Sequence, residues 1–283
     1  MLARSLSLLL FLAVWIGMPG AVQAADRVVA RGDVHLELID QGAGPAIVMI
    51  PSLGRGAHDF DDLAGRLVGA GFRVIRLQPR GIGESAGPMT GLTLHDLADD
   101  VALAITGSGL KSAVVLGHDD GNRIARATAA YHPELVSRVI LVGAGGKIPP
   151  DPEASSALRS VFDTTLSPEA HLHAVDVGFF ASGNDPTVWR DGWHADVAKM
   201  EGSAGAATAL KDWWTAGSAP LLVVVGNQDR IAPPANGDLL KHDVGDRAVV
   251  VHLEGAGHAL LPEQPKALAE AIVAYLRSPP PMR

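Results

Sequence analysis

The chain contains no cysteine, which excludes disulfide bonds, thiol catalysis and an acylated lipoprotein anchor. Basic residues are fewer than acidic ones: the chain has 23 lysines and arginines and 31 aspartates and glutamates. The formal net charge of -8 argues against nucleic acid or an anionic membrane surface as a partner. The composition fits a protein that acts on a small, uncharged molecule.

The first 24 residues have the three regions of a secretory signal peptide. Arg4 precedes an apolar run from Leu6 to Met18, and small residues then lead to Ala24. The run is shorter than the about 20 apolar residues that a membrane-spanning helix needs. We therefore expect cleavage after Ala24, export to the periplasm or the medium, and no stable membrane anchor.

Short apolar runs alternate with segments of helical periodicity along the rest of the chain. This alternation predicts an α/β fold, with a mostly parallel sheet covered by helices on both faces. With 283 residues, of which 47% are hydrophobic, one large core is the default organisation. The predicted strands are 34–39, 46–50, 73–77, 112–116, 139–142, 221–225 and 249–253.

The pattern changes between Lys147 and Ser218. This segment has proline, glycine and helical fragments but no convincing buried strand. It also holds four of the five tryptophans, namely Trp189, Trp193, Trp213 and Trp214. We interpret residues 147–218 as a helical cap inserted between the first part of the core, residues 25–146, and the second part, residues 219–283.

Residues 117–121, with the sequence GHDDG, have the frame of a nucleophile elbow. An apolar strand precedes them and a helical pattern follows, and glycines at the first and fifth positions permit a tight turn. The central residue of such a turn is held up from the edge of the sheet. Here that residue is Asp119, where a serine usually stands.

Two further residues follow later strands on loops. Asp229 comes after the strand 221–225, and His258 comes after the strand 249–253. Because parallel strands deliver their carboxyl ends to one edge of the sheet, both residues are expected near Asp119. The order of nucleophile, acid and histidine is the order of an elbow-type hydrolase.

Together with these residues, the motifs at 50–54 (IPSLG), 78–85 (QPRGIGES) and 257–263 (GHALLPE) resemble the α/β-hydrolase fold superfamily. The aspartate in the elbow resembles haloalkane and haloacetate dehalogenases and epoxide hydrolases. The resemblance implies an Asp119, Asp229 and His258 triad that forms an alkyl-aspartyl ester, which water activated by His258 then hydrolyses. It also implies an oxyanion hole made by the backbone amides of Leu53 and Asp120.

The chain departs from these subgroups where they hold the leaving group. The tryptophan after the nucleophile of haloalkane dehalogenases is Asp120 here, and only Arg123 remains of two arginines in haloacetate dehalogenases. Both tyrosines, Tyr131 and Tyr275, fall on predicted core helices outside the cap. The remaining candidates for substrate binding are Arg123, Trp189, Trp193, Trp213 and Trp214.

Other functions stay open at this level. An ester or lactone hydrolase could use Asp119 or His258 as a general base, and a degenerate member of the superfamily could bind a ligand without turning it over. The sequence predicts no metal site, since His118, Asp119 and Asp120 are contiguous, and no nucleotide loop or other cofactor site. We expect a monomer or a small homo-oligomer with a small-molecule substrate.

Overall fold

The computed structural model describes residues 25–279, so the predicted leader, residues 1–24, lies outside the described residues. These residues form an eight-stranded sheet in the order β1-β2-β4-β3-β5-β6-β7-β8. The first two strands and the β2–β4 pair are antiparallel, and every other neighbouring pair is parallel. The strands are β1 (Ala25–Arg31), β2 (Val34–Gly42), β3 (Ala46–Ile50), β4 (Arg73–Leu77), β5 (Ala113–His118), β6 (Val136–Val142), β7 (Leu221–Gly226) and β8 (Ala248–Leu253).

Helices cover both faces of this sheet, as the alternating pattern predicts. They are α1 (Asp61–Gly69), α2 (Leu94–Gly107), α3 (Asp120–Tyr131), α4 (Pro152–Ser160), α5 (Pro168–Phe179), α6 (Ala195–Ala206), α7 (Ala235–Val244), α8 (Leu260–Glu263) and α9 (Pro265–Arg277). One hydrophobic cluster joins the sheet to α2, α3 and α7, and a second joins it to α1 and α9. The predicted α/β fold is therefore confirmed.

The central strands are buried on both faces. Every residue of β3, β5 and β7 is buried, which explains why these strands read as continuous apolar runs in the sequence. The edge strand β1 behaves differently, because the side chains of residues 26–31 are exposed or only half-buried. The hydrophobic pattern predicts no strand there, since an edge strand that buries little carries no clear hydrophobic signal.

Residues 147–218, between β6 and β7, contain α4, α5 and α6 and, among the described residues, no strand. The first two of these helices build a third hydrophobic cluster with Trp189 and Phe179. Ile231 and Ala259, which follow β7 and β8, belong to the same cluster. The inserted helices are thus packed on the loops at the carboxyl edge of the sheet.

Candidate active site

The elbow is a sharp turn between β5 and α3. Asp119 has φ 51° and ψ -114°, a conformation with positive φ that non-glycine residues rarely adopt. A Cβ atom on Gly117 would lie 2.1 Å from the Gly121 carbonyl oxygen, and one on Gly121 would lie 2.4 Å from the Ile50 carbonyl oxygen. Only glycine fits at both positions, and the turn lifts Asp119 at the carboxyl edge of the sheet.

The structure brings Asp119, Asp229 and His258 together. The Nδ1 atom of His258 lies 2.8 Å from Oδ2 of Asp229. The other Asp229 oxygen accepts hydrogen bonds from the backbone N–H groups of Ile231 and Ala232, at 2.9 and 2.7 Å. The Nε2 atom of His258 lies 3.2 Å from Oδ1 of Asp119, at ion-pair distance but without the alignment of a hydrogen bond. Asp229 thus orients the imidazole, and Asp119 faces its far side.

The second oxygen of Asp119 is held by the loop after β3. Its Oδ2 atom accepts hydrogen bonds from the hydroxyl of Ser52 at 2.8 Å and from the backbone N–H of Leu53 at 3.2 Å. The N–H of Asp120 makes no hydrogen bond to this carboxylate. The motif at 50–54 includes Ser52, but local sequence does not reveal its contact with Asp119, which spans 67 residues of chain.

The charges of Asp119 and His258 stabilise each other. Burial raises the pKa of Asp119, but the His258 charge and the donors around the carboxylate outweigh burial and hold that pKa well below its usual value. Burial lowers the pKa of His258, yet Asp229 and Asp119 outweigh it and raise that pKa to about 10. At neutral pH the resting site is therefore an imidazolium between two carboxylates.

Two further buried groups support the His258 loop. Glu263 accepts hydrogen bonds from the N–H groups of Gly257 at 2.8 Å and Ala181 at 2.6 Å, which ties this loop to the end of α5. Burial raises the pKa of Glu263 to about 7. His118 lies with Nε2 2.9 Å from the carbonyl oxygen of His258, and burial lowers its pKa to about 4. His118 is thus a neutral donor to the backbone of His258.

Asp120 and Arg123 face each other on α3. The Arg123 Nη1 atom lies 3.3 Å from Oδ1 of Asp120, while Oδ2 of Asp120 is buried without a hydrogen-bond donor. Burial raises the pKa of Asp120, Arg123 opposes this, and Asp119 adds to it. Burial is thus the main reason that the pKa of Asp120 is raised, whereas His258 and the donors around Asp119 keep the pKa of that neighbour low. Arg123, a predicted substrate contact, is 40% exposed and directed toward Asp120.

The four tryptophans separate into two pairs. Trp189 and Trp193 both stack on the guanidinium of Arg55, each with its ring centre 4.4 Å from Cζ, and Trp189 also lies 5.8 Å from the His118 ring. The indole N–H of Trp193 donates to the carbonyl oxygen of Trp189 at 2.7 Å. This pair belongs to the cluster that covers the triad loops.

Trp213 and Trp214 instead lie in the main core, where the guanidinium of Arg126 contacts both rings, with Cζ 4.5 and 5.0 Å from their centres. The indole N–H of Trp214 donates to Asp243 at 2.7 Å, and the indole N–H of Trp213 is buried without a partner among the described residues. Their contacts are with α3 and α7, and none of them involves the Asp119 carboxylate. Their predicted substrate-binding role stays a prediction.

The side chain of Asp119 is 16% exposed. Above the oxyanion loop lies a depression of about 500 Å³, whose wall includes Phe162, His171, Arg190 and Trp193. A Cβ atom at Gly54 would lie 2.7 Å from the Phe162 ring, so this ring packs directly on the loop that holds Asp119. None of the residues that line this depression belongs to the triad or to residues 50–54.

Within residues 25–279, no cluster of histidine and acidic side chains has the arrangement of a metal site. In the same part of the chain, no helix combines the length and apolar character needed to cross a bilayer.

Comparisons with known proteins identify the family and the fold of this chain. Residues 45–165 match the family model of the alpha/beta hydrolase fold, and residues 192–281 match that of the TAP-like protein. The 2-(acetamidomethylene)succinate hydrolase of Mesorhizobium japonicum is 26% identical over 276 residues, which cover 89% of this chain and 97% of that enzyme. Bifunctional epoxide hydrolase 2 of Rattus norvegicus is 27% identical over 138 residues, covering 47% of this chain and 25% of that protein.

Among solved structures, the esterase EaEST from Exiguobacterium antarcticum superposes with a TM-score of 0.75. It is 21% identical, and the match covers 92% of this chain and 100% of the esterase. At this identity the likeness concerns the fold alone, and it includes the sheet and the inserted helices.

Proposed function

Since this chain is a member of the α/β-hydrolase superfamily and a hydrolase, we propose that it cleaves a small, largely apolar substrate through an alkyl ester formed on Asp119. The substrate carries a halide or an epoxide on a saturated carbon. Asp229 and His258 complete the triad, and the protein is exported. The observation that supports this function is that the two oxygens of Asp119 have different partners. Oδ2 accepts hydrogen bonds from the loop after β3, and Oδ1 faces His258.

In the first step, Oδ1 of Asp119 is the nucleophile. This oxygen is free of the loop donors, whereas Oδ2 is held by Ser52 and Leu53. Oδ1 bonds to the saturated carbon, and the carbon–halogen or carbon–oxygen bond breaks with its electron pair. A halide leaves as the anion, while an epoxide oxygen takes a proton from the His258 imidazolium. The low pKa of Asp119 keeps the nucleophile ionised at neutral pH.

Formation of the ester then changes the state of His258. The charge of Asp119 is one of the two charges that raise the pKa of His258 to about 10. Esterification removes that charge, so the pKa of His258 falls and the neutral imidazole becomes accessible. The histidine is thus protonated at rest and becomes a base when there is an ester to hydrolyse.

In the second step, His258 takes a proton from water, and the oxygen of that water attacks Cγ of Asp119. Negative charge builds on Oδ2, where the Ser52 hydroxyl and the Leu53 N–H already donate. The tetrahedral intermediate collapses with release of Oδ1 in the product alcohol, which takes the proton from His258. The product oxygen therefore comes from the enzyme, and the water oxygen stays on Asp119.

The second candidate is hydrolysis of an ester or lactone with His258 or Asp119 as general base. The full-length similarity to 2-(acetamidomethylene)succinate hydrolase favours it. The protonated resting state of His258 disfavours it, because an imidazolium cannot accept a proton from water. The covalent route resolves this conflict, since it neutralises Asp119 before a base is needed.

Isotope labelling separates the two candidates. The protein is mixed in excess with haloalkanes, haloacetates or epoxides in H₂¹⁸O for one turnover, and product and peptides are examined by mass spectrometry. We expect unlabelled product and one ¹⁸O on the peptide that carries Asp119. In His258→Gln, an unhydrolysed alkyl adduct should build up on the same peptide. Label in the product and none on Asp119 would overturn the covalent function.

Export rests on the predicted leader, residues 1–24, and has its own test. We expect the mature protein, recovered from the periplasm or the medium, to begin at Ala25. An uncleaved amino terminus on protein retained in the cytoplasm would contradict export without affecting the chemistry proposed for Asp119.

A further inference from the structure

Glu201 on α6 is a buried acid that the reaction above does not use. Its side chain is only 3% exposed, and Oε2 accepts a hydrogen bond from the backbone N–H of Gly54 at 2.7 Å. Gly54 directly follows Leu53, whose own N–H donates to Asp119. Glu201 and Asp119 therefore bind successive N–H groups of the same loop.

Among the charged groups around Glu201, Asp120 on α3 has the largest effect on its pKa. The helices α6 and α3 are packed together, and a Cβ atom at Gly205, one turn after Glu201, would lie 3.3 Å from Nη1 of Arg123. Arg123 is the residue that holds Oδ1 of Asp120, while Oδ2 of Asp120 is buried with no donor. A buried carboxylate oxygen without a donor is costly, and a protonated acid is the group that could supply one.

The surrounding charges keep the proton on Glu201. Burial raises the pKa of Glu201 well above its usual value, and the charges of Asp120 and Asp119 act in the same direction. The other charged groups that face this region are Arg123 and Arg126 on α3 and the Arg80–Asp100 ion pair. Arg80 is neutralised by Asp100 at 2.7 Å and Arg123 by Asp120, and the guanidinium of Arg126 donates to Asn122 and Gly145. Among the described residues, none of these three arginines forms an ion pair with Glu201.

We propose that Glu201 is a positioning residue whose neutral carboxyl group accepts from Gly54 N–H and donates to Oδ2 of Asp120, so that α6 clamps the oxyanion loop against the elbow. One of the two backbones joined in this way carries the Leu53 N–H, and the other carries Asp119. Their spacing sets how well the Leu53 N–H holds Oδ2 of Asp119 during ester hydrolysis, a role that rests on the proposed function. A donor held loosely loses much of its effect on rate.

Two variants of Glu201 test the clamp without any substrate. Glu201→Gln keeps one acceptor for Gly54 and gains an amide donor for Asp120, whereas Glu201→Leu removes both. We expect slow hydrogen exchange of the Gly54 amide in the wild type and in Glu201→Gln, and at least about tenfold faster exchange in Glu201→Leu. The matched control is Glu270→Gln, an exposed glutamate on α9, which should change nothing. Equal Gly54 exchange in all variants would overturn the proposal.

Infrared spectroscopy tests the proton itself. At a pH above the pKa of Glu263, which is about 7, the wild type should show a protonated carboxyl band that disappears in Glu201→Gln and persists in Glu270→Gln. Asp120→Asn removes a negative charge beside Glu201, so the band should be lost at a lower pH than in the wild type. If Glu201→Leu does not fold, these two variants still decide the question. A band unchanged in Glu201→Gln would refute a protonated Glu201.

The kinetic consequence separates the clamp from the proposed function. In Glu201→Leu, hydrolysis of the Asp119 adduct should slow by about 10- to 100-fold with little change in KM, while Glu201→Gln should remain close to the wild type. If no adduct forms in any variant, the proposed function fails while the exchange and infrared results still stand. If the adduct forms and Glu201→Leu hydrolyses it at the wild-type rate, the clamp fails and the function stands.

Discussion

Replacing Ser52 with alanine should affect the two half-reactions differently. The Ser52 hydroxyl is buried and donates to Oδ2 of Asp119 at 2.8 Å. During alkylation the carboxylate loses charge, so this hydrogen bond weakens on the way to the transition state. During hydrolysis Oδ2 gains charge, so the same bond strengthens. Ser52→Ala should therefore leave alkylation unchanged or slightly faster and slow hydrolysis.

The size of the effect follows from the kind of bond. A hydrogen bond to a charged group contributes about 1.5–3 kcal/mol, and about 1.36 kcal/mol corresponds to a tenfold change in rate. Hydrolysis of the ester should thus slow by about 10- to 150-fold. The Leu53 N–H remains as a donor, so the reaction is not abolished.

Rapid-quench mass spectrometry measures both steps, because it follows the rise and decay of the adduct on the Asp119 peptide. We expect the adduct to accumulate in Ser52→Ala and not in Ser203→Ala, a matched change at an exposed serine on α6. An equal loss in both half-reactions would mean that Ser52 holds Asp119 in place without favouring either transition state. Complete loss of turnover with no adduct would refute the reasoning and would point to Ser52 as the nucleophile.

Three further outcomes are expected. Asp119→Asn removes one of the charges that raise the pKa of His258 to about 10, so NMR should show the imidazole titrating at a lower pH. An unchanged titration would contradict the ion pair between Asp119 and His258. Gly121→Ala places a Cβ atom 2.4 Å from the Ile50 carbonyl oxygen and should lower both the Tm and turnover. Its control is Gly65→Ala, at an exposed helical position with open space, which should leave stability unchanged or raise it by about 0.5–1 kcal/mol. A Gly121→Ala variant with unchanged Tm and turnover would refute the tight turn. Trp214→Phe loses the hydrogen bond to Asp243 and should lower the Tm with KM unchanged, whereas a raised KM would place Trp214 in the substrate site.

The stability that His258 contributes should depend on pH with a definite sign. Its folded pKa is raised to about 10, above the ordinary value near 6.5, so the folded state binds more protons between these values. The contribution is complete below about pH 6.5 and is lost as the pH rises toward 10. Denaturant unfolding should show a smaller loss of stability over this range in Asp119→Asn than in the wild type, and an equal loss would contradict the assignment.

Local sequence patterns were sufficient for the elements of this fold. Buried parallel strands read as apolar runs, and the helix after Thr93 begins with the capping box that Thr93 and Asp96 predict. The exposed edge strand β1 was missed because its residues bury little. The patterns that predict strands and helices depend on residues close together in the chain, so they can be recognised in a single sequence.

The parts of the candidate site that the sequence did not reveal are long-range contacts. Glu201 meets Gly54 across 147 residues, and Glu263 meets Ala181 across 82. Nothing in the residues next to Glu201 distinguishes it from an ordinary helical glutamate. Glu201 becomes buried, and its proposed proton and partner are acquired, only when α6 packs on α3.

The sequence by itself determined the α/β fold, the turn that holds Asp119, and the loops on which Asp229 and His258 lie, because backbone geometry and strand order are encoded locally. Only the tertiary structure decided the charge of each group. Asp119 and Asp120 are neighbours with the same side chain, yet Asp119 faces an imidazolium and two donors, whereas Asp120 pairs with Arg123 and has one buried oxygen without a donor. A pKa depends on the charges and donors that surround a group in space, and these come from distant parts of the chain.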